Sequence, residues 1–258
     1  MKDTPDMRVL LRASSVILAW FLMICQKTMN VDVRFAFVDG GFVHTFLHDV
    51  APLGVRRYGV PLALDLDWRL KLAVIYGWRC DFSVCGMAAA LFSLLGGYVR
   101  HIEEIHVVPN ARWTPRQWSQ YGMRDGSTYT HTLFRIELHN GQKWALDLSG
   151  FQHGWRHALT PWEQFCTTRM KGEHFQLANL GDELAKWTAL AAISEPHAFG
   201  VEVDRIVREA IQTCFGTDND IARNRVFEMA HEDDFQELFK SSVGTFEEML
   251  DRNLHRWF

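Results

Sequence analysis

Cys80, in the segment Gly77-Trp78-Arg79-Cys80-Asp81-Phe82-Ser83, is followed 51 residues on by His131 and 16 later by Asp147. A thiol, an imidazole and a carboxylate in that order can carry acyl transfer. The thiolate attacks a carbonyl carbon, the imidazole shuttles the proton, and the carboxylate holds the ring in the right tautomer. With five Cys and twelve His in the chain the order alone discriminates little. The surroundings of each residue carry the reading.

Cys80 stands at the head of an apolar run, Phe82 to Leu95, that Gly96-Gly97 stop as they would stop a helix. At helical spacing Cys80, Val84, Met87, Leu91 and Leu95 share one face; Phe82, Cys85, Ala89 and Phe92 share another. A helix apolar nearly all round is buried. At its N-terminus a cysteine meets the positive end of the macrodipole, which favours the thiolate. Cys85 is the competing nucleophile. Five residues turn a helix by about 500°, so Cys85 points about 140° away from Cys80 and only one of them can serve the site. Cys85 groups with the apolar stripe, which favours Cys80.

The stretch from His131 to Leu148 alternates on both sides of His139-Asn140-Gly141 and predicts a β-hairpin. A two-residue loop would pair Phe134 with Asp147 and bring a charge onto the apolar face. A three-residue loop with Gly141 left-handed pairs Leu138 with Gln142, Ile136 with Trp144, Phe134 with Leu146 and Thr132 with Leu148. All the large apolar residues except Leu133 then share one face. His131 and Asp147 become diagonal neighbours on the other, about 7–8 Å apart at the backbone.

Arg79-Cys80-Asp81-Phe82, followed by Leu94-Leu95-Gly96-Gly97-Tyr98-Val99-Arg100, resembles the Cys helix of the transglutaminase-like superfamily; the peptide:N-glycanase branch carries a similar Arg-Cys start. His131 opening a strand, and Trp144-Ala145-Leu146-Asp147-Leu148-Ser149, resemble that family's His strand and its Trp-x-x-Asp-x-Thr segment. Arylamine N-acetyltransferases use the same Cys, His, Asp order and are the second family it is similar to. The match covers residues 77–150. The resemblance implies an α+β fold with a papain-like/transglutaminase-like core, its Cys helix packed on an antiparallel sheet, and an N-terminal helix and C-terminal helical subdomain around it. It implies a thiol-dependent hydrolase or acyltransferase acting on an amide, ester or thioester, with Cys80, His131 and Asp147 as the triad and no cofactor. The region before Cys80 holds no recognisable oxyanion-hole glutamine. The alternative is a non-catalytic module that reuses the fold to bind a peptide or small acyl ligand.

Composition agrees with such a fold. Hydrophobic residues make up 48% of 258, enough for a substantial core, and 10 Trp suggest apolar clefts as well. A net charge of −4 leaves no footprint for nucleic acid or an anionic membrane. The odd cysteine count, without a spaced framework, argues for free thiols in a reducing, cytoplasmic setting, and no Cys/His spacing fits a metal site. The apolar run Ala13 to Cys25 is 13 residues, short for a membrane span. It reads as a buried N-terminal helix, with a signal or anchor as the alternative.

Three segments organise the chain into one unit: 1–76, 77–175 and 176–258. The first holds the N-terminal helix, a hairpin (Val31 to Phe37, Phe42 to Leu47) and a helix over Pro61 to Tyr76 that delivers the chain to Cys80. In the second, 98–108 alternates as a strand, and 109–129 reads as a long loop entering His131. Loops of that length are uncommon unless functional. Trp113 and Trp118 on it, facing Trp78, Phe151 and Trp155, are the expected walls of the substrate cleft, which would take a small-molecule or peptide acyl group. The third reads as helices over 181–193, 200–214, 218–231, 233–241 and 244–256, covering the cleft or binding a partner.

Overall fold

A helix with no polar face has to sit inside the core. Helix α3 (Cys80–Leu95) does so: in a computed structural model describing residues 4–28, 33–47, 67–119, 122–216, 227, 231–254 and 257, it is surrounded by helices and one strand. Around it lie α1 (Pro5–Lys27), α5 (Asp182–Leu190), α6 (Glu195–Phe215) and strand β6 (His131–Leu138). The fold is α+β. Phe92, which periodicity groups with Cys85 and Ala89, is 69% exposed because α3 is near its end there and none of the described residues covers that side.

Strand β6 belongs to a five-stranded sheet in the order β8-β7-β6-β3-β9, antiparallel throughout: β3 (Val99–Pro109), β7 (Lys143–Leu146), β8 (Leu159–Pro161) and β9 (Met170–Asn179). The β6–β7 hairpin has the three-residue loop. Gly141 is left-handed at φ +83°, Leu138 N–H donates to Gln142 O at 2.9 Å, and Ile136 faces Trp144 as Phe134 faces Leu146. Phe134, Ile136, Leu138, Trp144 and Leu146 all join the main core with α3. Leu133, the exception to the pattern, fills a smaller cluster with Ile105, Val107, Ala145 and Trp155, which α4 (Trp162–Arg169) covers with Phe165. The sheet is therefore buried on both faces around His131. Strand β9 was not expected: its polar, exposed sequence gives no alternation, and its pairing with β3 places it at the sheet edge.

The segment 109–129 is not a loop. It contains β4 (Thr114–Ser119) and β5 (Gly122–Asp125), which extend the hairpin of β1 (Val33–Asp39) and β2 (Phe42–Leu47) into a second sheet ordered β1-β2-β4-β5. β2 and β4 run parallel, pairing Phe46 with Trp118 across some 70 residues of sequence. Local reading has no access to such a contact, and Pro115 masks the strand. Proline is tolerated there because the pairing with β5 begins only at Arg116.

Helix α1 is 23 residues long, extending well beyond the apolar run, so it is long and apolar enough to cross a membrane. Length therefore does not exclude a span, contrary to the expectation from the 13-residue run. What favours a core role is burial: Trp20 stacks on Phe246 at 4.5 Å, and Leu10, Ile17, Phe21 and Ile24 are fully buried. Helix α2 (Trp68–Ile75) starts after Asp67, whose carboxylate caps Arg69 N–H; the expected start at Pro61 lies outside the described residues, as does nearly all of 218–231. Helix α6 runs through Gly200, where the Trp187 ring takes the space a Cβ would need. Helix α7 (Glu232–Leu254) likewise runs through Gly244. Helix α6 packs behind α3, with Phe199 stacked on Phe82 and Val203 on Gly86, and α7 packs on α1 and α6; neither lines the cavity at Cys80.

Candidate active site

Cys80 is the first residue of α3 and partly exposed. The chain reaches it through a tight turn in which Trp78 takes φ +65°, an uncommon and strained conformation for a bulky residue. Arg79 N–H closes the turn onto Tyr76 O, and Trp78 N–H donates to the Gln152 side-chain oxygen at 3.0 Å. Cys80 opens into a cavity of about 120 Å³ whose lining includes Trp78, Asp81, Arg124, Tyr129, Gln152 and His153.

Behind the thiol, His131 Nε2 and Asp147 Oδ1 are 2.9 Å apart with both side chains sealed from solvent. Burial by itself would drive the imidazole neutral. The Asp147 charge and hydrogen bond outweigh it, Cys80 adds to them, and the pKa is pushed up to about 10. These interactions favour the imidazolium form of the ring. With Nε2 committed to Asp147, Nδ1 is the atom left for Cys80; it has no hydrogen bond of ordinary length among the described residues.

A second contact fixes the distance between helix and strand. Thr132, next to His131, donates its hydroxyl to Asp81, next to Cys80, at 2.6 Å. The hydroxyl's one proton goes to the carboxylate, so it accepts from His106 Nδ1, 3.1 Å away. Cys80 and His131 are thereby pinned through their immediate neighbours.

The other side of His131 is aromatic. His153 meets it edge-on at 4.6 Å and Trp155 at 5.5 Å. Burial holds His153 well below the ordinary imidazole range, and the charge on His131 adds to that, so the pair shares one proton and His131 keeps it. Asp147 Oδ2 is buried without a hydrogen bond to any described residue; the Arg169 guanidinium, itself seated over Trp155, supplies opposite charge nearby. Gly150 lies against the same carboxylate: a Cβ there would overlap Oδ2 and sit 2.9 Å from Cγ.

The remaining thiols are in different surroundings. Cys85 is fully buried against α6, and Cys25 is buried on the core face of α1; burial raises both, Cys25 to about 12. Burial raises Cys166 and Cys214 as well. Among the described residues no cluster of three or more His, Cys, Asp or Glu could hold a metal ion.

Of the expected cleft residues, Trp78 lines the Cys80 cavity, where Arg124 sits 3.9 Å over its ring. Trp113, Phe151 and Trp155 instead line a neighbouring cavity of about 180 Å³ with Trp68 and three arginines. Trp118 lies away from both: on β4 it stacks on Phe46 and donates its indole N–H to His44 Nδ1 at 3.1 Å. The strand pairing of 109–129 turns its tryptophans aside and presents Arg124, Tyr129 and Thr130 in their place. Gln152, His153 and the Asp81–Thr132 contact were not anticipated. The one available signal was a polar pair, Gln152-His153, between Gly150 and Gly154, immediately after the carboxylate. Comparison with protein-family models, curated proteins and solved structures found no match.

Proposed function

We propose that this protein is a cysteine-dependent acyl-transfer enzyme, a hydrolase or acyltransferase with a transglutaminase-like, papain-like core. The observation that carries the reading is the sealed His131–Asp147 pair behind a partly exposed Cys80 at the head of a buried helix. Cys80 sulfur adds to the carbonyl carbon of an amide, ester or thioester. The proton held by His131 goes to the leaving amine, alcohol or thiol, and the acyl group stays on sulfur. His131 then takes a proton from water or an acceptor nucleophile, which attacks the acyl-enzyme and restores the thiolate. Asp147 orients the ring and stabilises its charge throughout. A cavity of about 120 Å³ suits a side-chain carboxamide or a short acyl group.

The test is acylation by a simple activated ester, p-nitrophenyl acetate, followed by intact-mass measurement. The reading expects one acetyl adduct on Cys80 during turnover and none on Cys80→Ala. Adducts distributed over several residues, unchanged in Cys80→Ala, would leave a binding module as the better account.

A further inference from the structure

We infer that the side-chain amide of Gln152 is the oxyanion donor of this site; the inference rests on the acyl-transfer reading above. Gln152 is 3% exposed, sits in the single helical turn Gly150–His153, and lines the cavity into which Cys80 opens. Its orientation is not ambiguous. Trp78 N–H is a donor and needs oxygen, so Oε1 faces Trp78 at 3.0 Å and Nε2 is turned the other way. Nε2 is buried and has no acceptor among the described residues. A buried donor of this kind is costly to leave unpaired, and buried amides seldom are.

The chemistry of the cavity supplies the missing acceptor. When the Cys80 sulfur forms its bond to the carbonyl carbon, the π pair moves onto oxygen. That oxygen is an anion until the pair returns, the bond to the leaving group breaks, and the His131 proton leaves with it. No electrons are exchanged with another species. A donor held in place beforehand stabilises this state because it need not reorganise when the charge appears. Nε2–H is held in that way, and the N–H groups of the first turn of α3, Cys80's own among them, have no acceptor inside the helix and complete the pair. The Gln152–Trp78 bond also ties the donor to the strained turn that sets Cys80, so nucleophile and donor move together. In chain order this donor follows the carboxylate, after Asp147, and not the nucleophile's approach.

The experiment compares two reactions at the same sulfur. Alkylation of Cys80 by iodoacetamide displaces iodide from a saturated carbon and creates no oxyanion; acylation by p-nitrophenyl acetate creates one. Gln152→Glu keeps an oxygen for Trp78 N–H and the residue's shape while removing the amide donor; Gln152→Ala removes both. Selective alkylation of Cys80 over the four other thiols reports that each variant is folded, and Gln152→Glu decides if the alanine variant is not. The expected result is alkylation close to wild type and acylation slower by about 10²-fold in both variants. Fast alkylation with undiminished acylation would overturn the role of Gln152 and leave the thiol enzyme standing. A wild-type Cys80 no more reactive than the other thiols would overturn both.

Discussion

Asp147 Oδ1 reaches His131 Nε2 at 2.9 Å across the β6–β7 hairpin, and neither side chain touches water. That hydrogen bond decides which ring nitrogen faces Cys80, and the carboxylate's charge keeps the proton on the ring to about pH 10. Asp147→Asn keeps the shape and removes the charge. Turnover of an ester probe should fall by roughly 10³–10⁴-fold, and by more in His131→Ala. The basic limb of the pH–rate profile, near 10 in the wild type, should move down toward the ordinary imidazole range. An unmoved limb would show that it reports another group.

The same pair predicts a pH signature in stability. The folded value of His131, about 10, exceeds the unfolded value of about 6.5, so folding favours the protonated ring. The stabilisation is complete below about pH 6.5 and is lost as pH rises through about 10. Denaturant melts of the wild type and of His131→Leu/Asp147→Leu should show a stability difference that moves against the wild type over that window. A difference independent of pH would mean that the folded ring is neutral.

The Asp81–Thr132 hydrogen bond of 2.6 Å predicts a positioning effect distinct from chemistry. Thr132→Val is nearly isosteric and leaves Cys80, His131 and Asp147 in place. Loosening the register between helix and strand should cost roughly 10- to 100-fold in turnover, since misplacements of about 1 Å carry penalties of that order. The pH–rate profile should keep its shape. A shifted limb would instead show that Asp81 and Thr132 act on the titration of the site.

What the sequence disclosed of this site was what local rules control. Leu138, Ile136 and Phe134 could face their partners in only one register, and that register forced His131 against Asp147. The absence of any polar face on residues 82–91 announced a buried helix with Cys80 at its mouth. The walls of the cavity were not legible. Trp118 was read as a loop residue because its strand partner, Phe46, lies in a hairpin far away in the chain. The expected helix over 200–214 starts too late because the ring that requires the missing Cβ of Gly200 belongs to Trp187 on another helix. Gln152 carries no local signal of its place beside Cys80, because the fold brings it there from behind Asp147 rather than from the segment before Cys80.

The most direct test of the central claim is the alkylation rate of each of the five cysteines by iodoacetamide near pH 6, read by peptide mass spectrometry. Cys25 and Cys85 are sealed in the core, and burial raises Cys166 and Cys214, so all four should react slowly. Cys80, partly exposed and beside the charged His131, should react far faster than the rest, and should lose that advantage in His131→Ala. Five thiols with comparable slow rates, or a fast Cys80 indifferent to the loss of His131, would contradict a catalytic Cys80–His131–Asp147 site.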